Sequence, residues 1–147
     1  MEDSNPELLI FEHCDSRGLS SQGLLERGRL AMPLCLAQPA ERGGVLSELD
    51  EVEVNLVTDE LIAQVHDEFM NDPSPTDVIT FHHGEIFISL DTAERECVKY
   101  GHSFEQEMLL YLIHGLLHLN GHDDKTPLER DAMKKLQEQI LEEVWAA

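Results

Sequence analysis

Two histidines near the C-terminal end of the chain, His114 and His118, have the spacing of two ligands for one metal ion. Residues four apart on a helix lie on the same face, with Cβ atoms roughly 6 Å apart. Both histidines lie in an apolar run, where unpartnered imidazoles would cost several kcal/mol. A bound metal offsets that cost, so the pair predicts a metal site. The alternative is a pair of core histidines that hydrogen-bond to backbone and carboxylate groups.

Polar residues just beyond this helix offer a third ligand. Gly121 lets the chain turn back, and His122, Asp123 and Asp124 follow it directly. Imidazole and carboxylate ligands without a nearby thiolate favour zinc, with manganese, nickel or iron as alternatives. Three protein ligands leave one coordination position open for water, which is typical of catalytic zinc sites.

Gly115 argues against the simplest enzyme class for such a helix. Zinc proteases of the HExxH type carry a glutamate directly after the first histidine, and this glutamate deprotonates the metal-bound water. That position is glycine here, which has no side chain to accept a proton. The motif therefore favours a metal-dependent hydrolase other than an HExxH protease.

The helix that carries the histidines is predicted to lie in the middle of the fold. Ser103 and Gln106 form a capping box at its start, and Gly121 is a plausible stop. The residues between them are apolar on almost every side of the helix. A helix of this kind is buried by other elements.

The elements around that helix follow from the apolar pattern. Strands are expected at residues 7–11, 51–57, 78–81 and 85–90, with the last two as a hairpin. Helices are expected in residues 20–38 with an interruption at Pro33, and after Asp91 and Glu94, which form a capping box. Thr58 is expected to cap a further helix, and Thr126, Pro127 and Glu129 to start the last helix, which continues to about Trp145.

This order of elements predicts an α+β fold, a small mixed sheet with packed helices, in one domain spanning residues 1–147. The last helix is amphipathic, and its inward side chains are predicted to be Leu128, Met133, Leu136, Ile140, Leu141 and Val144.

Three separate segments resemble one known family, the YbeY endoribonucleases, which are bacterial enzymes of ribosomal RNA maturation. HGLLHLNGHDD (114–124) is similar to the family signature HGxLHLxGYDH. PTDVITF (75–81) is similar to the family segment PTDVLSF, and GEIFISLDTAERE (84–96) is similar to the family's strand and following helix. Order and spacing agree from about residue 50 to 140.

The resemblance implies a metal-dependent, single-strand-specific endoribonuclease that acts in 16S rRNA 3′-end maturation and in ribosome quality control. It also implies a zincin-like central metal-binding helix in the α+β fold. The family ligands are three histidines, of which two fall on His114 and His118 and the third falls on Asp124. A carboxylate is a competent zinc ligand, and His122, which replaces the family tyrosine, is the alternative.

Other positions have roles that the sequence leaves open. An arginine of the family falls on Met70, so stabilisation of phosphate charge would depend more on the metal. Asp77 is expected either to support a ligand histidine by a hydrogen bond or to form a local turn. The catalytic base is unknown, with Asp123 and His122 as candidates for proton transfer. Four further histidines are interpreted as surface residues: His66, His82, His83 and His102. For His82 and His83, which are expected in a turn after a strand, a role at the mouth of the cleft is the alternative.

The net charge of −20 argues against a broad basic surface for nucleic acid. DNA is therefore not expected as a partner. Single-stranded RNA would need a small local patch, or recruitment by proteins of the small ribosomal subunit. The alternatives are a non-catalytic ribosome-assembly factor with a structural metal, which the charge and Met70 favour, and a metallohydrolase of another substrate such as a peptide.

The cysteine pattern and the hydropathy of the chain predict the cellular compartment of the protein. The three cysteines lie far apart, without a CxxC pair, as in a reduced cytoplasmic protein. The sequence contains no run of 18 or more uncharged apolar residues, so no membrane span is expected. The N-terminus has no basic region before an apolar run, so no secretory signal is expected.

Overall fold

A mixed sheet of four strands, packed with helices on both faces, organises residues 5–146, the part of the chain that the computed structural model describes. The strand order is β1-β2-β4-β3, with β1, β2 and β4 parallel and β3 antiparallel to β4. The predicted α+β class and the predicted hairpin are therefore confirmed. The strands are β1 (Glu7–Glu12), β2 (Glu51–Val57), β3 (Val78–Phe81) and β4 (Glu85–Ser89).

Five α-helices and a single 3-10 turn at Leu46–Glu48 complete the described residues. None of these helices is both long enough and apolar enough to cross a membrane. Residues 1–4 and 147 lie outside the described residues. The single domain over residues 1–147 and the expected absence of a secretory signal therefore stay predictions. The helices are α1 (Ser21–Leu36), α2 (Asp59–Met70), α3 (Leu90–Tyr100), α4 (Phe104–Leu119) and α5 (Pro127–Ala146).

Successive side chains of β4 point to opposite faces of the sheet, and each face packs into a separate apolar core. Ile86 and Ile88 point to the main core, which the helices α1, α4 and α5 share with the sheet. Phe87 points to the opposite face, where it packs near Ile62 of α2. Helix α4 contacts α1, α3, α5 and the sheet, so the predicted central position of this helix is confirmed.

Three predicted N-terminal caps are present. Ser103 and Gln106 form the reciprocal capping box that starts α4. The Thr58 hydroxyl accepts a hydrogen bond from the Leu61 backbone N–H at 3.1 Å. At the start of α5, Thr126 and Glu129 exchange two backbone-to-side-chain hydrogen bonds at 3.1 Å each. These caps need only local sequence, which is why the pattern predicts them.

The predicted Asp91–Glu94 cap is wrong. Ser89 begins α3 instead, because its hydroxyl accepts a hydrogen bond from the Thr92 N–H at 3.1 Å. The Asp91 carboxylate accepts a hydrogen bond from the backbone N–H of Asp59 at 2.7 Å. It therefore connects α3 to the start of α2.

The predicted interruption at Pro33 is also wrong, since α1 continues to Leu36. Pro33 and Arg29 are both exposed, so water can satisfy the Arg29 carbonyl that the proline ring displaces. Leu128, predicted to face inward, is 81% exposed because it lies in the first turn of α5, beyond the edge of the core.

Gly115 lets α4 approach the sheet closely. A Cβ atom at this position would lie 2.7 Å from Cδ1 of Ile86 and 3.1 Å from its Cγ2. These distances are shorter than van der Waals contact, so the glycine is a packing requirement. A glutamate at residue 115 would collide with β4, which gives a physical reason for the absence of the protease base.

We expect Gly115→Ala to lower the free energy of unfolding by about 1–3 kcal/mol through overpacking against Ile86. Urea unfolding of Gly115→Ala, Ile86→Val and the double variant measures the coupling between the two positions. Ile86→Val removes the closest atom, so the double variant should lose less stability than the sum of the single variants. Simple additivity would contradict the packing argument.

Candidate metal centre

One stripe of α4 is polar although the rest of the helix is core. Glu107, Tyr111, His114 and His118 follow one another at intervals of four, three and four residues. This spacing places them on one helical face. All except His118 line a cavity of about 630 Å³, which lies between α3 and α5 with α4 as its floor.

His114, His118 and Asp124 converge at one end of this stripe. The Nε2 atoms of His114 and His118 lie 3.5 Å and 3.6 Å from Asp124 Oδ2. One ligand atom from each residue lies within 4.8 Å of the others. Two ligands at about 2.1 Å from one tetrahedral ion are separated by about 3.4 Å, so the spacing fits a single ion.

The electrostatics of the group suit metal ligation. Burial, and then the neighbouring His114, lower the pKa of His118 below its usual range, whereas the Asp124 carboxylate acts in the opposite direction. The His118 imidazole is therefore neutral at neutral pH, which is the form that binds a metal. The side chains of His114 and His118 are about one-fifth exposed, at 20% and 22%, so one side of the group remains open.

Gln137 of α5 orients the first histidine. The His114 Nδ1–H donates a hydrogen bond to Gln137 Oε1 at 2.8 Å, which leaves the Nε2 lone pair directed toward Asp124. Hydrogen bonds of this kind fix the tautomer and the ring orientation of metal-ligating histidines. The sequence analysis missed Gln137, although a polar residue four positions from both Met133 and Leu141 interrupts the apolar stripe of α5.

A loop formed by residues 37–45, the clamp loop, holds the chain that follows α4. The Val45 N–H donates a hydrogen bond to the Leu119 carbonyl at 2.8 Å, and the Ala40 N–H donates to the Asn120 carbonyl at 3.1 Å. Backbone N–H groups of the clamp loop thus donate hydrogen bonds to carbonyl groups that have no partner within α4. It positions the segment that leads to Asp124.

Gly121 allows this close contact between the two loops. Its φ is +98°, and a Cβ atom here would lie 2.2 Å from the Gly43 carbonyl oxygen. Only glycine combines this backbone conformation with so close an approach. The turn predicted at Gly121 therefore occurs, and it brings Asp124 back to the two histidines.

The side chains of His122 and Asp123 point to the clamp loop and not to the ligand group. His122 Nε2 lies 2.6 Å from the Gln38 carbonyl oxygen. Asp123 accepts a hydrogen bond from Arg42 at 2.9 Å, and this partner holds the pKa of its carboxyl below the usual range. Of the three candidates for a third ligand, only Asp124 lies beside the histidines.

Asp77 lines the same cavity, but its hydrogen bonds are local. Its carboxylate accepts from the Val78 N–H at 2.8 Å and from the Thr76 hydroxyl at 3.3 Å. The contacts of Asp77 are thus those of a local turn, which was one of the two expected roles. The residue that forms a hydrogen bond with the ligand-group histidine His114 is Gln137.

The four histidines interpreted as surface residues divide into two groups. His82 and His83 are exposed in the turn between β3 and β4, as expected. His66 is partly covered, with its Nδ1 2.8 Å from the Ser74 carbonyl oxygen. His102 lies 2.8 Å from the buried Glu107. The side chains of His66 and His102 are only partly exposed, at 17% and 21%, because each ring pairs with a residue that the sequence pattern does not reveal.

Comparison with known proteins decides the family. The family described as Endoribonuclease YbeY matches residues 31–145. A Streptococcus uberis protein named Endoribonuclease YbeY is 33% identical over 163 aligned residues, which cover 90% of this chain and 95% of the relative. A Streptococcus pneumoniae protein of the same name is 36% identical with the same coverage. The chain belongs to the YbeY endoribonuclease family.

A solved structure agrees with this assignment. The solution structure of a Thermotoga maritima protein has a TM-score of 0.60 and 27% sequence identity, and the match covers 95% of this chain and 89% of that one. The fold described above is therefore shared with an experimentally solved protein. Against the YbeY signature HGxLHLxGYDH, this chain has Asp124 in place of the final histidine.

We expect Gln137→Ala to weaken divalent metal binding by about 10- to 100-fold, since the His114 ring loses the hydrogen bond that orients it. Competition with a chromogenic zinc chelator measures the dissociation constant. Gln139→Ala is the matched control, because Gln139 is exposed on the same helix. Equal affinities for Gln137→Ala and the unaltered protein would rule out the orienting role.

Proposed function

We propose that this YbeY family member is a metal-dependent endoribonuclease that cleaves single-stranded RNA. The observation that carries the proposal is the convergence of His114, His118 and Asp124 at the side of an open cavity. Family membership supports RNA as the substrate class. We propose further that residues 1–147 form one catalytic domain.

His114, His118 and Asp124 would hold one zinc ion in this proposal, with other divalent metals as alternatives. The donor set fits, because two imidazoles and one carboxylate are ordinary zinc ligands and their spacing suits one ion. When bound, the ion supplies Lewis acidity toward the phosphoryl oxygen and activates water. Gln137 and the clamp loop keep the three ligands in position without further rearrangement.

Two cations of α5 would receive the substrate phosphate in this proposal. Arg130 and Lys134 line the cavity. Arg130 Nη1 donates hydrogen bonds to the backbone carbonyls of Asp124 and Lys125 at 3.3 Å and 3.2 Å, so its guanidinium lies beside the ligand group. These residues supply local positive charge on a chain whose net charge is −20.

The biological setting is part of the proposal. We place the activity in 16S rRNA 3′-end maturation and ribosome quality control in the cytoplasm. Because the chain is strongly acidic, binding to proteins of the small ribosomal subunit would supply much of the affinity for the ribosome. The two α5 cations then need only to orient the RNA strand locally.

A second candidate function is a ribosome-assembly factor in which the metal is structural. The identity of residue 70 favours it. Met70 ends α2 with a 51% exposed side chain, and no arginine is available at the position where the family often has one. Neither Asp123 nor His122 supplies a base beside the ligand group.

We expect His114→Ala to remove the bound metal and to lower single-stranded RNA cleavage by about 100-fold or more, since the charge stabilisation from a metal is worth several kcal/mol. Metal content per chain and cleavage of a labelled RNA are measured together. His83→Ala is the control, because His83 is an exposed turn residue. Unchanged metal content and cleavage in His114→Ala would refute the proposal, and cleavage of casein but not RNA would favour a peptide hydrolase.

We expect Met70→Arg to increase RNA cleavage by about tenfold or more, because the family often has an arginine at this position and a cation that reaches the cleaved phosphate stabilises the charge of the transition state. The uncharged variant Met70→Gln is the control for side-chain length. A gain with arginine alone supports an enzyme with reduced activity. The absence of cleavage in the unaltered protein and in both variants would support the assembly-factor alternative.

A further inference from the structure

The cavity extends beyond the metal ligands toward the N-terminal end of α4. Tyr100, His102 and Glu107 line that end. Glu107 precedes His114 by seven residues, which correspond to about 10 Å along a helix. A group bound there lies too far from the ligands to be the cleaved phosphate itself. It lies within reach of the neighbouring nucleotide of the same strand.

Glu107 is a carboxylate in the core, with 2% of its surface exposed. Its Oε1 lies 2.8 Å from the Nδ1 of His102. Burial, and then the nearby Glu107 charge, raise the pKa of Tyr111 well above its usual range, so the Tyr111 hydroxyl stays protonated and can donate to the same carboxylate. Both partners offset the cost of burying Glu107.

This pairing fixes the orientation of His102. Because the carboxylate accepts from Nδ1–H, this tautomer of the imidazole has its lone pair on Nε2. Nε2 makes no hydrogen bond to any residue in the described range 5–146. The side chain is 21% exposed, so it is held by the protein yet accessible from the cavity. An oriented acceptor of this kind suits a ligand with an amino group.

Tyr100 supplies a flat apolar surface beside that acceptor. It is the last residue of α3, and 61% of its surface is exposed although it lines the cavity. Exposed aromatic rings in a nucleic-acid groove stack on unpaired bases. Stacking and an edge contact are the two interactions by which proteins recognise bases of single-stranded RNA.

Charge in the cavity distinguishes a base from a phosphate at this end. Arg130 contacts the backbone of Asp124 at the metal end. The surroundings of Tyr100 and His102 instead include the carboxylates of Glu96 and Glu107. Carboxylates repel a phosphate, whereas an uncharged base experiences no such repulsion. The groove therefore has a phosphate end and a base end.

We propose that Tyr100, His102 and Glu107 form a nucleobase subsite that binds the base next to the cleaved linkage. The proposal rests on the proposed function, because it assumes single-stranded RNA in the cavity. Tyr100 stacks on the base, and His102 Nε2 accepts a hydrogen bond from an exocyclic amino group. Adenine, cytosine and guanine carry such a group and uracil does not, so the subsite disfavours uracil.

Binding of labelled oligonucleotides tests this subsite independently of cleavage. Fluorescence anisotropy with single-stranded oligo(A), oligo(C) and oligo(U) RNA is measured on the zinc-loaded protein at low temperature, and a gel verifies that the RNA stays intact during the measurement. Tyr100→Ala should weaken binding of oligo(A) by about 5- to 100-fold, which corresponds to the loss of one stacked base. Tyr100→Phe keeps the ring and should bind like the unaltered protein.

His102→Asn tests the edge contact with a conservative change. Asparagine can still donate a hydrogen bond to Glu107 from a position near that of Nδ1, but it lacks an atom in place of Nε2. We expect this variant to keep its melting temperature and its metal affinity, and to lose the preference for oligo(A) and oligo(C) over oligo(U). Retained preference in this variant would overturn the role of His102.

The outcomes separate the subsite from the proposed activity. Equal affinity of Tyr100→Ala and the unaltered protein, or no RNA binding by the unaltered protein, would overturn the subsite. Cleavage is measured separately with the same zinc-loaded protein at higher temperature. Binding that depends on Tyr100 without cleavage would support the subsite and contradict the nuclease proposal. Cleavage that does not change in Tyr100→Ala or His102→Asn, combined with unchanged binding, would contradict the subsite alone.

Discussion

The contact between Gly115 and Ile86 is the constraint on which the candidate site depends. Helix α4 can lie directly on β4 only because residue 115 has no Cβ atom, which would approach Ile86 Cδ1 to 2.7 Å. This contact fixes which face of α4 meets the sheet. Around the helix axis, the stripe from Glu107 to His118 lies about 40–100° from Gly115, so the contact with Ile86 also sets the direction in which the stripe faces. The cavity and the metal ligands follow from that rotation.

Two elements distant in sequence then complete the ligand group. Helix α5 returns along α4 and brings Gln137 to His114. The clamp loop binds the end of α4 and directs the chain through Gly121 to Asp124. The same turn directs His122 and Asp123 outward to Gln38 and Arg42. The choice of Asp124 as the third residue of the group is therefore made by backbone contacts of the clamp loop.

The sequence predicted the features that local pattern determines. The capping box at Ser103, the β3–β4 hairpin and the pairing of His114 with His118 each depend on residues within a few positions of one another. Features that depend on tertiary contacts escaped prediction. The Asp91 carboxylate accepts from the Asp59 N–H of α2 and does not cap α3, and the His102 ring is partly buried because it pairs with Glu107.

The distribution of charge along the cavity connects the site to its proposed substrate. An acidic protein cannot attract RNA over its whole surface, yet Arg130 places positive charge beside Asp124, and Lys134 lines the same cavity. The opposite end of the cavity combines an exposed aromatic ring with an oriented imidazole. This polarity suits a strand whose phosphate and base occupy different ends of one groove.

Anomalous scattering at the zinc edge, recorded from crystals of the zinc-loaded protein, tests the central claim most directly. The account predicts one ion bound by Nε2 of His114 and of His118 at about 2.0–2.1 Å and by an Asp124 carboxylate oxygen at about 2.0–2.2 Å. It also predicts that His114 Nδ1 remains hydrogen-bonded to Gln137. An ion bound by His122 in place of Asp124, or the absence of an anomalous peak between the two histidines, would contradict the account.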